Sequence, residues 1–360
     1  MKINKNFFLV LFSIILSFVL IEFFFYLKYF EINKDYKFSL HDKRYMLFEE
    51  GFVFKNFDNI FKYHPNQKIL SKAYYNLNNT WFKEYDYEII TNNFGLVQNN
   101  DLKKDIPSIL FLGDSFVEGQ GSHSWINKFG GKFKNFQLIN GGIMGTGPQQ
   151  FELLENHISQ HYIVDKLIFF YIGDDLRRNI FNISNESLGC LKSYKDCEGN
   201  ENFYGFPLKS KDPEKFLNKL NNYRSMQNKL IPVTEKIKNN VKRFFSNLYS
   251  IKILNNFLRQ KFYFSKNEYI QRNFKSIENL YKKYGDSLIF VQLTNKNEVL
   301  HGKEYDTFFA EKFIKKLTKK HFLCDFGMNI ENFYKIDMHP NQNGYDHLFN
   351  CVKKILQSEI

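Results

Sequence analysis

The chain has 360 residues, enough for one sizeable α/β core with an insertion or for two smaller domains. With 42 Phe, 22 Tyr and 43 % hydrophobic residues it is too apolar for a disordered, collagen-like or coiled-coil protein. The net charge of +12 comes mainly from Lys scattered among Asn, Phe and Ile. With no zinc-finger spacing or aromatic RNA-binding motif beside it, that charge does not define a nucleic-acid protein.

Lys2 and Lys5 precede an apolar run, Phe7–Leu27, broken by the single charge of Glu22. Its 21 residues, at about 1.5 Å each, cover a hydrocarbon core of roughly 30 Å. Phe, Tyr, Lys and Glu follow the run where a signal peptide would place small residues, so residues 1–30 read as a cytoplasmic tip and an uncleaved single-pass anchor. A buried core helix is the alternative. Lys28, Lys34, Lys37, Lys43 and Arg44 on the far side blunt the charge rule for orientation.

Residues 31–95 lack clean periodicity and read as a membrane-proximal lead-in that ends in a short strand near Tyr87–Thr91. From Ser108 short apolar runs recur: Ser108–Leu112, Phe136–Ile139, Lys166–Ile172, Ser287–Thr294 and His321–Cys324. Between them Pro148–His161, Glu304–Lys319 and Asn343–Gln357 carry helical spacing. This alternation predicts a parallel sheet covered on both faces over residues 96–360. A Lys/Asn-rich helical insertion at about 177–265, with a helical piece at Glu214–Lys229, interrupts it. Cys190 and Cys197 bracket six polar residues and could close a small disulfide loop; otherwise the four cysteines, with Cys324 and Cys351, are free thiols.

Chemistry-bearing residues collect where strands are expected to end. Gly113-Asp114-Ser115-Phe116 follows the first parallel strand, and ligands of open α/β sheets sit beyond the carboxyl ends of the strands. Near the C-terminus Asp337-Met338-His339-Pro340-Asn341 offers a carboxylate and an imidazole just before the last helix. A serine nucleophile needs such a base, and the base an orienting acid. Asn140–Gly147 holds four glycines in seven residues, which lets a backbone N–H approach a ligand closely. Ile172-Gly173-Asp174-Asp175 ends a strand on the same edge; two neighbouring acids suggest a cation, but no third ligand of suitable spacing follows, so no metal or cofactor is expected. Gly285-Asp286-Ser287 repeats the serine tripeptide at a strand's entry, on the opposite edge, and receives no role.

In this order the blocks resemble those of the SGNH/GDSL hydrolase superfamily. Gly113–Phe116 matches the first block, Asn140–Gly145 the second, Gly173–Asp175 the third and Asp337–Asn341 the fifth. Thr91–Leu96 is similar to a segment preceding the serine block in membrane-anchored bacterial members. The resemblance spans roughly Ile90–Gln357, leaving the insertion unmatched. It implies a three-layer α/β/α sandwich with a flavodoxin-like sheet and cleavage or transfer of acyl groups on esters, often O-acetyl groups on sugars. Carried over, Ser115 is the nucleophile, His339 the base, Asp337 its orienting acid, and the N–H groups of Ser115 and Gly145 the oxyanion donors, with position 174 the third donor.

Two departures stand out. The commonest family spacing puts Asp three residues before His, a position held here by Ile336; Asp337 lies two before, the spacing of members that O-acetylate polysaccharides. The third block's Asn is Asp174, and an ionised carboxylate donates no hydrogen bond. Either Asp174 is held protonated by burial beside Asp175, or the oxyanion site uses backbone N–H groups alone, or activity is low. The expected function is therefore a membrane-anchored esterase or O-acyltransferase on cell-surface glycan esters, with its catalytic domain periplasmic or extracellular. A catalytically silent glycan-binding or assembly protein of the same fold is the alternative, and a lipid-directed lipase or thioesterase a third reading. Protein partners are unknown from the sequence.

Overall fold

The computed structural model describes residues 5–32, 43–48, 54–57, 60–77, 80–130, 133, 135–178, 206–207, 217–218, 234, 237–238, 240–241, 248 and 268–359. Five short strands with no charge at their centres form the core sheet: β6 (Ser108–Gly113), β7 (Gln137–Gly142), β8 (Val164–Tyr171), β10 (Leu288–Leu293) and β11 (His321–Cys324). All pair in parallel, in the order β11-β10-β8-β6-β7. Renumbered within the sheet this is 2-1-3-4-5, the flavodoxin-like order, whose switch point lies between β6 and β8.

Alternate side chains of each strand enter different cores. Ile109, Phe111, Ile168, Phe170, Ile289 and Val291 join one hydrophobic cluster, while Leu110, Leu112, Leu167, Phe169, Leu288 and Phe290 join the other. The first cluster is closed by Trp125, Phe129 and helix α7 (Gln342–Glu359), through Leu348, Val352 and Leu356. The second is closed by α3 (Pro148–Ser159), α4 (Glu268–Tyr284) and α6 (Tyr305–Leu317), through Phe151, Ile277 and Ile314. Helices cover both faces, which makes the three-layer α/β/α arrangement.

The segment expected to be a lead-in is itself a sheet. β4 (Lys68–Leu77) and β5 (Thr80–Ile90) form an antiparallel hairpin, continued by the backbones of β1 (Lys43–Phe48) and β9 (Phe206–Pro207); β2 (Phe54–Phe57) and β3 (Ile60–Tyr63) pair separately. The short strand expected at Tyr87–Thr91 is thus the end of an eleven-residue strand. Tyr63, Ile69, Ala73, Tyr75 and Ile89 are buried in the second cluster of the core sheet. At roughly 1.5–3 kcal/mol for each large apolar side chain, this burial makes the hairpin part of the α/β domain.

The chain divides into two units, Met1–Lys37 with Tyr223–Lys266 and Phe38–Asn222 with Asn267–Ile360. In the first, the backbone of α1 (Lys5–Ile32) is helical and Leu9, Phe12, Ile15, Val19 and Phe24 are exposed. Its described side chains run from Leu9 to Phe24 without Leu11, and among the described residues no helix is long and apolar enough to cross a membrane. Nearly all of the insertion expected at 177–265, with Cys190 and Cys197, lies outside the described residues.

Cys324 at the end of β11 is joined by a disulfide to Cys351 on α7, which corrects the reading of these two as free thiols. The partners are 27 residues apart, with the His339 loop between them. Closing a loop of that length stabilises by about 3–4 kcal/mol in the chain-entropy description. Urea unfolding of a Cys324→Ala/Cys351→Ala variant should show a loss of that size; an unchanged midpoint would contradict it.

Candidate active site

Ser115 opens the four-residue helix α2 (Ser115–Glu118) directly after β6. Asp114 caps it, accepting from the Phe116 N–H at 3.0 Å. His339 comes from the loop before α7, at the other end of the chain. That loop is pinned by a Phe333–Pro340 bridge, by the Tyr334 N–H donating to the His339 carbonyl at 3.0 Å, and by Lys296 Nζ donating to the carbonyls of Tyr334 and Lys335 at 2.7 and 2.8 Å. The imidazole ring packs 5.2 Å from the Phe116 ring, centre to centre.

These constraints bring three expected residues into one line. His339 Nδ1 is 2.6 Å from Asp337 Oδ1, and His339 Nε2 is 2.8 Å from Ser115 Oγ. With Nδ1–H donating to the carboxylate, Nε2 is the acceptor for the Ser115 hydroxyl proton. The Asp337 side chain is 1 % exposed and that of His339 11 %, so the line is shielded from water yet open at the imidazole. Asp337 Oδ2 also accepts from the Tyr85 hydroxyl at 2.8 Å, and Tyr85 in turn accepts from Gln120 Nε2 at 2.7 Å. Such an arrangement can deprotonate a serine and hold the resulting imidazolium.

Around it lies a second buried ionic group that was not anticipated. Arg178 Nη1 donates to Asp114 Oδ2 at 2.7 Å and lies 2.7 Å from Asp175 Oδ1, and it also donates to the Thr146 carbonyl at 3.2 Å. Burial, and then the neighbouring Asp114 charge, push the Asp175 carboxyl up, while Arg178 opposes them. Asn273 on α4 holds the turn that carries these residues, donating to the carbonyls of Leu176 and Arg178 at 2.8 Å each.

Of the three alternatives for Asp174, the first requires a buried side chain, and the structure does not bury it. Its side chain is 45 % exposed and is ion-paired with Arg177, so the buried acid of the pair is Asp175.

The glycine-rich loop is clamped on both sides of Gly145. Met144 N–H donates to Glu118 Oε2 at 2.6 Å, and the Arg178 bond to Thr146 holds the other side. Gly145 has φ +71°, a left-handed conformation that disfavours a side chain. Gly142 tolerates none because a Cβ there would lie 2.2 Å from the Glu118 nitrogen. Asn140 is structural: it donates to the Val97 carbonyl at 2.8 Å and accepts from Gly142 N–H at 3.0 Å. Gly285–Ser287 forms a turn at the entry of β10, and the parallel pairing puts it at the sheet edge opposite Ser115. Among the described residues no cluster of His, Cys, Asp and Glu could hold a metal ion.

No protein-family model matches the chain, and no curated protein matches it. Among solved structures it is similar to a member of the lipolytic protein G-D-S-L family from Veillonella parvula DSM 2008, at 10 % identity and a TM-score of 0.35 over 70 % of this chain and 98 % of that one. It is also similar to a GDSL-like lipase from Bacteroides thetaiotaomicron VPI-5482, at 9 % identity and a TM-score of 0.31 over 70 % of this chain and 89 % of that one. Similarity at this level assigns no activity.

Glu118 gives a test of the clamp. It is fully buried between the Tyr63 hydroxyl, 3.0 Å away, and Met144 N–H, and burial pushes its carboxyl up to about 8. The unfolded chain gives up this proton near pH 4.5, the folded chain only near 8, so stability falls as pH rises between those values. Glu118→Gln keeps the shape and removes the ionisation. Urea midpoints should therefore fall less between pH 5 and pH 8 in the variant than in the wild type; identical slopes would contradict a buried, proton-holding Glu118.

Proposed function

We propose that the chain is a serine esterase or O-acyltransferase of the SGNH/GDSL type. The observation that carries this reading is the hydrogen-bonded line from Ser115 Oγ through His339 to Asp337, at 2.8 and 2.6 Å. As Ser115 Oγ attacks the ester carbonyl carbon, its proton passes to His339 Nε2. The imidazolium, held by Asp337, returns that proton to the departing alkoxide, leaving an acyl group on Ser115 and a free alcohol. Water or a sugar hydroxyl then attacks the acyl carbon and gives its proton to His339. The acyl group leaves Ser115 as an acid or as a new ester, and the proton returns to Ser115.

In this reading the N–H groups of Ser115 and Gly145 stabilise the oxyanion, and an ionised Asp174 adds no donor. The substrate we infer is an acyl ester of a cell-surface glycan, O-acetyl first among them. Its support is the Asp-x-His spacing at Asp337 and His339, which resembles that of polysaccharide O-acetylating members. Asp174 in place of Asn favours a second reading, a glycan-binding protein of the same fold without turnover. Ser115→Ala and His339→Ala should each lower hydrolysis of p-nitrophenyl acetate by a factor on the order of 10³ or more, with the double variant little worse. Near-normal turnover in a folded Ser115→Ala protein would exclude the assignment.

We further propose that α1 is an uncleaved membrane anchor and that the catalytic unit is periplasmic or extracellular. The apolar run Phe7–Leu27 supports the first statement, and the Cys324–Cys351 disulfide, a bond that persists in oxidising compartments, supports the second. The full chain should stay in the membrane fraction after an alkaline carbonate wash. A soluble mature form beginning near residue 30 would contradict the anchor.

A further inference from the structure

The hairpin ahead of the serine strand carries an irregularity on the side of the His339 loop. In the β4–β5 ladder Ala73 pairs with Tyr85 and Tyr74 with Lys83, which leaves Glu84 as the extra residue of a β-bulge. In a regular strand, neighbouring side chains point to opposite faces, so only one of two consecutive residues could serve a loop on one side. A bulge bends the strand and re-aims its side chains. Here both residues reach consecutive positions of the Asp-x-His loop: Glu84 Oε1 accepts from Ile336 N–H at 2.9 Å, and the Tyr85 hydroxyl donates to Asp337 Oδ2 at 2.8 Å.

The direction of that second bond is set from behind. A hydroxyl has one proton, and Gln120 Nε2, donating to the Tyr85 oxygen at 2.7 Å, leaves it to go to Asp337. The Tyr85 ring is held 4.6 Å from the Tyr334 ring, centre to centre, which fixes the hydroxyl's reach. Asp337 is thus gripped from two sides, by His339 through its other oxygen and by Tyr85, whose partner lies 252 residues away in sequence.

We propose that Tyr85 is a positioning residue of the triad, delivered by the Glu84 bulge, and that its hydroxyl holds the Asp337 carboxylate in register with His339 and tempers that carboxylate's charge. The inference rests on Ser115, His339 and Asp337 acting as the proposed triad. Among the described residues, the other titratable or charged groups facing this pair are Glu84 and Tyr87 on β5, Lys296 after β10, Tyr334 on the same loop, Tyr345 on α7, and Asp114 with Arg178 beside Ser115. Tyr85→Phe leaves all of them and the ring stack in place, so a changed pH profile reports the hydroxyl alone.

The experiment follows phosphonylation of Ser115 by a fluorophosphonate in the full chain, from about pH 5 to about pH 9, as a function of probe concentration. Tyr85→Phe should lower the maximal labelling rate about tenfold with little change in the half-saturating concentration. The acid limb should move to higher pH, because a carboxylate relieved of the hydroxyl holds the imidazolium more tightly. In an Asp337→Asn background the same substitution should add less than about twofold, since its route of action is gone. If Tyr85→Phe fails to fold, Gln120→Met, which removes the amide that donates to the Tyr85 oxygen and lies 3.5 Å from His339 Nδ1, should shift the limb the same way by a smaller amount. An unchanged rate and limb in these variants, or an undiminished loss in the Asp337→Asn background, would overturn the proposal while leaving the triad standing. Absence of Ser115 labelling in the wild type would overturn the triad and the proposal together.

Discussion

A carboxylate almost without solvent contact must be met by donors from the protein, and Asp337 is the one on which the rest of this site depends. Its side chain is 1 % exposed. Removed from water, an ionised acid is tolerable only if hydrogen bonds replace hydration. His339 supplies two, from Nδ1 at 2.6 Å and its backbone N–H at 3.2 Å, and Tyr85 supplies a third at 2.8 Å. Satisfying Asp337 therefore fixes the imidazole tautomer and ring, and through them the acceptor that faces Ser115. It also requires the β4–β5 hairpin to pack where it does, so the region before β6 belongs to the site as much as to the core.

The same rule organises the surrounding shell. Asp114 and Asp175, 2 % and 0 % exposed at the side chain, sit at the ends of β6 and β8, where the sheet order reverses. Both carboxyl groups converge on one guanidinium, that of Arg178, which also ties down Thr146. Burial pushes the Asp175 carboxyl up even beside Arg178, and Glu118, with no cation in its hydrogen bonds, is pushed up as well. Its two contacts hold Tyr63 on one side and the Met144–Gly145 loop on the other. Each buried acid thus links a strand end to a loop, and the Gly145 N–H is carried by a loop held on both flanks.

Much of this could be read from residues alone, for a physical reason. Strands buried on both faces are uninterrupted apolar runs, and β6, β10 and the second half of β8 stand out as such, while β11 is a half-exposed edge strand. Ser115, Gly145, Asp174 and His339 follow strand ends or precede a helix, so their common edge follows once the sheet is parallel. The hairpin β4–β5 stayed hidden because its Tyr, Lys and Asn residues alternate irregularly around the bulge at Glu84. Tyr85 carries no local mark, since its partner Asp337 lies 252 residues away, and Arg178, three residues from its partner Asp175, gives no sign of Asp114, 64 residues away. The bond between Cys324 and Cys351 was equally invisible, since only the packing of α7 against β11 brings them together. The environment of Asp174 stayed open, because sequence shows two adjacent acids but not which one turns inward.

Turnover by the proposed triad requires a covalent acyl intermediate on Ser115, and peptide mass spectrometry reads that directly. The full chain would be mixed with p-nitrophenyl acetate, quenched in acid during the first turnovers, digested and mapped. An acetyl group is expected on the peptide containing Ser115, lost again on incubation with excess acceptor alcohol or water. Release of p-nitrophenol with the acetyl on another residue, or with none on the enzyme at any time, would contradict it.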